Sequence, residues 1–403
     1  MGLTIGVVGA GQFGPSFIPL FQAHPLVDDV YLAEVVPERR ADQAARFGIT
    51  EVFDTYQDLL ATDIDAVAIF TQRWSHAPIA LEALAAGKHV YSAVPAAITL
   101  DEMKALIARV TETGLTYLVG ETSYYYPATV YCRERFHRGD FGRFVYGEGE
   151  YLHDMSVGFY EAYQYSGGRN WKATASFPPM LYPTHSTSMV LSVTGAGMTS
   201  VSCLGQVDQH DDGVFDPDVS RWNNAFSNQT ALFRTSDGGM CRTNEFRRVG
   251  YRAHPEPEVR LSLFGTQASF EQQTGAYSWN TLDGDILDLQ ELLTCAESVP
   301  QDDQLSTDLQ ASFAGHYAPV HDTARLPSSF AGLPNGHQGS HQFLVDDFVT
   351  AIQSRTLPPN NVWDAARYCV PGMIAHESSQ RQGALLEVPD LGAPPVQVGQ
   401  PWP

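Results

Sequence analysis

The segment LTIGVVGAGQFG, residues 3–14, constrains this chain more than any other. A continuous apolar run of strand length enters a turn in which Gly9, Gly11 and Gly14 stand in GxGxxG spacing, and a helical stretch over roughly 14–23 follows. Gly9 permits the tight turn, Gly11 lets backbone approach a pyrophosphate, and Gly14 lets helix and strand pack closely. The helix N-terminus offers unpaired N–H groups to an anion. Gly9, Gly11, Gln12, Phe13 and Gly14 are therefore candidate cofactor-binding residues. Glu34 stands twenty residues beyond Gly14, at the end of a second strand-like run, VYLAEV (30–35). A carboxylate there can accept bonds from ribose hydroxyls and would repel a 2′-phosphate. The expectation is NAD, with NADP as the alternative because Arg39 and Arg40 follow closely. Without the flanking strand, helix and acid, the same glycines would fit a turn in some other α/β protein.

The alternation continues through DAVAIFT (65–71), HAPIALEALAAG (76–87), HVYSAV (89–94), TLDEMKALIARVTETG (99–114) and TYLVGE (116–121). Apolar strands alternating with amphipathic helices predict a parallel sheet covered on both faces. Thr99 and Glu102 form a capping box at one helix start. After Tyr126 the pattern changes to long strand-like runs at 144–155, 199–208, 230–246 and 259–272, with helices near 128–138, 341–354 and 363–380. Strands separated by turns predict a mostly antiparallel sheet. The fold class is α/β: an N-terminal Rossmann domain over 1–125, an α+β domain over 126–390 with a large open sheet, and a Pro-rich tail over 391–403. The polar, Gly/Pro-punctuated stretch 280–335 fits no element.

Composition narrows the partners. With 24 basic and 46 acidic side chains the formal net charge is −22, which repels nucleic-acid backbones and anionic lipid. No apolar run is long enough to span a bilayer. The five cysteines, Cys132, Cys203, Cys241, Cys295 and Cys369, include no CxxC pair, so a reducing compartment is expected rather than a disulfide framework. The first strand begins at residue 3, which leaves no room for a signal peptide. Together these predict a cytoplasmic protein. His316, His321, His337 and His341 lack metal-ligand spacing with supporting carboxylates, so no metal site is expected.

The stretch DAVAIFTQRWSHAPIALEALAAGKHVYSAVPAA (65–97) resembles the hallmark region of the glucose-fructose oxidoreductase / inositol dehydrogenase / rhizopine catabolism (Gfo/Idh/MocA) family. There a strand ends near a Thr, here Thr71; a His, here His76, begins the next helix; and GKHV leads to a tripeptide ending in Pro, here Pro95. The resemblance implies that Thr71, His76 and Pro95 lie at the cofactor. The family tripeptide is Glu-Lys-Pro, with the lysine assisting proton transfer, whereas this chain has Ala93-Val94-Pro95. The chain is more similar to the NAD-dependent, α-N-acetylgalactosaminidase-like glycosidase branch. That branch carries Val-Pro-Ala-Ala here, a Tyr-Leu/Ile-His-Asp segment (Tyr151 to Asp154), Tyr-Pro-Thr-His (Tyr182 to His185) and a Glu leaving the Rossmann domain (Glu121). This implies Glu121, Tyr151, His153, Tyr182 and His185 as catalytic candidates.

The residues support parts of this independently. Taking hydride from a sugar carbon needs a base for the neighbouring hydroxyl, and His is the usual choice. His185 stands at an element boundary, and Tyr182, three residues earlier, would share its face on a helical turn; a helix-capping or core histidine is the bland alternative. Glu121 closes a Rossmann strand, where open α/β sheets bind ligands, and also counts among the cofactor residues. Tyr151 and His153 alternate with Leu152 on a strand and point to one face, which lines either the pocket or the outer side of the sheet. Trp74 and Trp171 are candidate platforms for cofactor or sugar, although such rings are more often core. Three functions follow, in order. The first is an NAD(P)-dependent oxidoreductase acting on a hydroxyl of a sugar, sugar derivative or inositol-like substrate, with a His base. The second is a glycosidase with no net redox, using Tyr182/His185 and Glu121/Tyr151. The third is a non-catalytic dinucleotide-binding protein. The expected partners are a small carbohydrate and a second copy of the chain, as homodimer or homotetramer through the C-terminal sheet.

Overall fold

The computed structural model describes residues 2–251, 258–296 and 317–402. His316 lies outside the described residues. Six strands, β1 (Leu3–Val8), β2 (Val27–Ala33), β3 (Val52–Phe53), β4 (Ala66–Ile69), β5 (His89–Ser92) and β6 (Tyr117–Val119), form one parallel sheet in the order β3-β2-β1-β4-β5-β6. The order reverses between β1 and β4, and the carboxyl ends of those strands open the crevice where such sheets bind ligands. The helices α1 (Ile18–Ala23), α2 (Pro37–Phe47), α3 (Tyr56–Leu60), α4 (His76–Ala85) and α5 (Leu100–Thr113) connect these strands. The capping box on α5 is formed by Thr99 and Glu102, each accepting from the other's backbone N–H.

One face of this sheet is covered from far along the chain. Leu344, Val345, Phe348 and Val349, on the helix His341–Ser354, pack with Ile5, Phe17, Phe21 and Tyr91 in one buried cluster. An apolar parallel sheet needs cover on both faces, and the chain returns from the second sheet to supply it.

Among the described residues that second sheet has nine strands. Five of them matter to the site: β7 (Phe144–Leu152), β8 (Met198–Val207), β9 (Phe226–Thr235), β10 (Met240–Phe246) and β11 (Val259–Gly265). The pairing β7·β10 is parallel and the others are antiparallel. The single strand-like run expected over 230–246 is a hairpin, turned at Gly238 with φ +89°. One face of the sheet carries α6 (Pro127–His137) and α9 (Thr184–Thr194), while α7 (Tyr160–Gly167) and α8 (Trp171–Ala175) pack on each other. The opposite face exposes Leu204, Leu232 and Met240 beside the paired charges Glu148, Glu150, Arg242 and Arg260.

Helix α9 can lie against β7 because of Gly149. A Cβ there would sit 1.9 Å from the carbonyl oxygen of Ser186, the residue after His185. This close approach sets the depth of His185 in the fold. Replacing Gly149 with Ala is expected to destabilise the protein by about 1–3 kcal/mol, as overpacking does, read as a lower denaturation midpoint. An unchanged midpoint would show that α9 retreats freely.

Candidate active site

A cleft of about 530 Å³ runs from the carboxyl end of β1 to the start of α9. At its first end the glycine turn behaves as its spacing requires. Gly9 has φ +90°, a conformation L side chains avoid, and a Cβ on Gly14 would meet the Gly9 carbonyl oxygen at 2.5 Å. A Cβ on Gly11 would meet nothing within 4 Å, because that position faces the open cleft. Phe13 closes the turn from the side, packed on Phe17, Phe70 and the ring of His337.

Glu34 lines the cleft while holding its own loops. Its carboxylate accepts from the backbone N–H of Ala10 at 2.8 Å and of Val36 at 3.0 Å. A carboxylate offers about four lone-pair directions, so acceptor capacity remains for a ribose hydroxyl. Arg39 also lines the cleft, 3.5 Å from Glu34, whereas Arg40 turns away to Asp54 and the Glu34 carbonyl. The open face of Gly11, the helix-ward turn and the acid at the end of β2 fit an adenine dinucleotide.

The middle of the cleft is lined by Thr71, Trp74 and His76 from the segment after β4. The Thr71 hydroxyl bonds Ser75. His76 is buried, with Nδ1 2.9 Å from the Pro95 carbonyl and Nε2 3.0 Å from the Thr71 carbonyl, so it ties the ends of β4 and β5 together. Burial holds its pKa below the usual value, against these carbonyls. Val94 stands where the family lysine is expected and presents an apolar side chain to the cleft.

At the far end Tyr182, His185, Tyr151 and His153 converge. His185 Nδ1 lies 2.8 Å from Glu121 Oε1, and its Nε2 lies 3.2 Å from the Tyr182 hydroxyl. Glu121 is fully buried, just beyond β6, and also accepts from the Ser123 N–H at 2.8 Å. Burial disfavours the imidazolium of His185, but the Glu121 carboxylate outweighs it and raises the pKa above 6.5. Burial would likewise raise the Glu121 pKa, and the facing His185 instead holds it below the usual range. Burial pushes Tyr182 up to about 12. The second pair stands beside the first. The Tyr151 ring packs edge-on to His185 at 5.1 Å, and its hydroxyl lies 3.2 Å from His153 Nδ1. His153 Nε2 lies 2.6 Å from the Val157 carbonyl, which requires the proton on Nε2 and leaves Nδ1 to accept from Tyr151.

Four candidates do not line the cleft. Gly14 serves the packing of the turn, and Pro95 contributes only its carbonyl to His76. Glu121 lies behind His185 rather than facing the cavity, and it pairs with His185 rather than Tyr151. Trp171 is half-buried and packs edge-on to Tyr160 against a small apolar cluster of Met155, Ala175, Val214 and Phe215, where the indole finds apolar contact. Arg73, Tyr163, Phe159 and Glu258 line the cleft without having been singled out from the sequence. Arg73 lies inside the hallmark stretch, where a charge beside apolar residues was the available signal; the others have none.

Residues 3–121 match the family described as "Oxidoreductase family, NAD-binding Rossmann fold" (GFO_IDH_MocA). The fold and the glycine cradle thus define an NAD-dependent oxidoreductase of the Rossmann class. That match spans the parallel sheet and its glycine turn. Over 414 residues the chain is 25% identical to a glycosyl hydrolase family 109 protein of Streptomyces niveus, covering 96% of this chain and 77% of that one. Over 165 residues it is 30% identical to levoglucosan dehydrogenase of Pseudarthrobacter phenanthrenivorans, covering 38% of this chain and 42% of the other. A solved levoglucosan dehydrogenase in complex with NADH aligns over 97% of this chain and 100% of that chain, with a TM-score of 0.72 at 19% identity.

Gly11→Val tests the cradle. Its side chain would enter the cleft rather than the core, so the thermal midpoint of cofactor-free protein should hold while NAD affinity falls at least about tenfold, some 1.4 kcal/mol. Calorimetry showing wild-type affinity would remove Gly11 from the site.

Proposed function

We propose that this protein oxidises a hydroxyl-bearing carbon of a sugar-like or inositol-like substrate, with His185 as the base. The observation that carries this reading is the chain Tyr182–His185–Glu121 at the end of the cleft that begins at the glycine turn. NAD, when bound along the cleft by the glycine turn and Glu34, supplies the hydride acceptor.

Glu121 accepts from His185 Nδ1–H, which fixes the tautomer and leaves the Nε2 lone pair toward Tyr182 and the cavity. As the substrate C–H hydrogen leaves as hydride, the hydroxyl proton passes to Nε2, directly or through the Tyr182 oxygen. The imidazolium that forms faces the Glu121 carboxylate, so charge develops where it is already compensated. Tyr182, held neutral by its high pKa, relays a proton rather than acting as a phenolate. This arrangement takes the place of the lysine absent at Val94.

A second reading is favoured by a separate observation. Tyr151 and His153 form another hydroxyl–imidazole pair in the same cleft, and the similarity to family 109 glycosyl hydrolases extends over 96% of the chain. Glycoside cleavage with no net change in cofactor needs two proton-transfer groups, and the two Tyr–His pairs would serve. Incubating the protein with NAD and a panel of sugars and chromogenic glycosides separates the readings. Reduced cofactor accumulating with sugar supports oxidation, and aglycone release without it supports hydrolysis. Absence of both, with NAD still bound, would reject either.

His185→Ala should lower turnover by about 10²–10⁴-fold while NAD affinity stays near the wild-type value; undiminished turnover would exclude His185 as the base. The pH profile gives a second check. Glu121, Glu245 and Glu258 all raise the His185 pKa, and a base must be unprotonated. Activity should therefore rise with pH through a pKa above 6.5, and Glu121→Gln should move that limb to lower pH as well as reduce the rate. A limb that stays in place would separate Glu121 from the base.

We also infer that the open face of the nine-stranded sheet pairs with a second copy of the chain, supported by exposed Leu204, Leu232 and Met240 on that face. Light scattering should find a dimer or tetramer, and Leu232→Arg should shift it toward monomer; a monomeric wild type would reject the pairing.

A further inference from the structure

The geometry points to a substrate that carries a carboxylate, recognised by Arg73. This rests on the proposed reading of the cleft as a sugar-oxidising or sugar-cleaving site, and it adds the substrate class.

Arg73 opens the short turn after β4 and lines the cleft. Its guanidinium lies 4.3 Å from the centre of the Tyr182 ring and 5.4 Å from that of Phe177, and it donates to the Tyr163 hydroxyl. Among the described residues it forms no ion pair with a carboxylate. The other arginine lining the cleft, Arg39, has Glu34 at 3.5 Å. Arg73 is thus a cation in the substrate region whose protein neighbours are rings and one hydroxyl.

Its place excludes the dinucleotide phosphates as its natural counter-ion. The pyrophosphate cradle is at Gly11, whereas Arg73 stacks on Tyr182, whose hydroxyl lies 3.2 Å from His185 Nε2. Water can solvate the guanidinium while the cleft is open. A neutral sugar would displace that water and leave the charge uncompensated, which is costly in a desolvated site. A carboxylate would pair with it, and the planar fork of Arg suits bidentate contact. One guanidinium is matched by a monoanion, and Glu258, which also lines the cleft, weighs further against a phosphate dianion. A uronic or aldonic acid meets these conditions.

Calorimetry on NADH-saturated protein tests this without relying on turnover. The probes are D-glucuronate, D-galacturonate and D-gluconate, against glucose, galactose and glucose 6-phosphate. At least one acid should bind about 30-fold more tightly than its neutral counterpart, the range expected for a desolvated charge pair. Arg73→Gln should erase that gap, and Arg73→Lys should restore part of it. Parity between acids and neutral sugars, no binding by any acid, a preference for the phosphate, or a gap that survives Arg73→Gln would each overturn the assignment. So would a loss of NAD affinity in Arg73→Gln as large as the loss for the acid, since that places Arg73 on the cofactor. The two proposals fail separately. NADH formed from neutral sugars with no acid preference keeps the redox reading and removes this one. Acid binding that depends on Arg73, without NADH or aglycone formation, does the reverse.

Discussion

Glu121 is shut away from water, His185 meets the cleft only at its edge, and each is charged or ready to be charged because of the other. Glu121 follows the last strand of the parallel sheet, and His185 begins a helix that lies on the antiparallel one. Their 2.8 Å contact therefore joins the two halves of the molecule at the point where the cleft ends. A buried carboxylate without a partner would take up a proton, and a buried imidazole without one would shed it. Paired, they hold the imidazole in one tautomer and leave one nitrogen for chemistry. The cost of breaking such a pair, rather than its net stabilisation, is what keeps the geometry.

The rest of the cleft follows from where that pair sits. Helix α9 approaches β7 closely enough only because Gly149 has no side chain, and this brings Tyr151 and His153 beside His185. Two tyrosine–histidine pairs then share one cavity with different tautomers, one backed by a carboxylate and the other by a backbone carbonyl. One pair thus ends on a buried carboxylate and the other on a neutral backbone dipole. The position occupied by lysine in the family is Val94 here, and the tyrosines and histidines at this end of the cleft come from the second half of the chain.

Helix α7 lines the cleft with Ala162, Tyr163 and Ser166, and two arginines of the Rossmann part reach it. Arg39 donates to the Tyr165 carbonyl and stacks on its ring, and Arg73 bonds Tyr163. The same cations that face the cleft thus also tie the two halves across it.

The glycine turn, the alternation of strands and helices and the acid ending β2 were legible because each depends on a few neighbouring residues and one local conformation. The change to a mostly antiparallel sheet was legible for the same reason, through spacing and turn residues, and the kinship of the YLHD and YPTH motifs named Tyr151, His153, Tyr182 and His185. What local pattern could not supply was which of these groups meet. Glu121 was expected with Tyr151 and stands behind His185; Trp171 was expected at the ligand and packs into its own apolar cluster; the cover on the Rossmann sheet comes from residues after 340. Glu258 carries no distinguishing pattern in the sequence, and Arg73 only its charge within the hallmark stretch, yet both line the cavity. Pairings across sixty or more residues depend on how two sheets and a helix dock, and docking is decided by buried area and volume summed over the whole core. Periodicity within any one segment does not contain that sum.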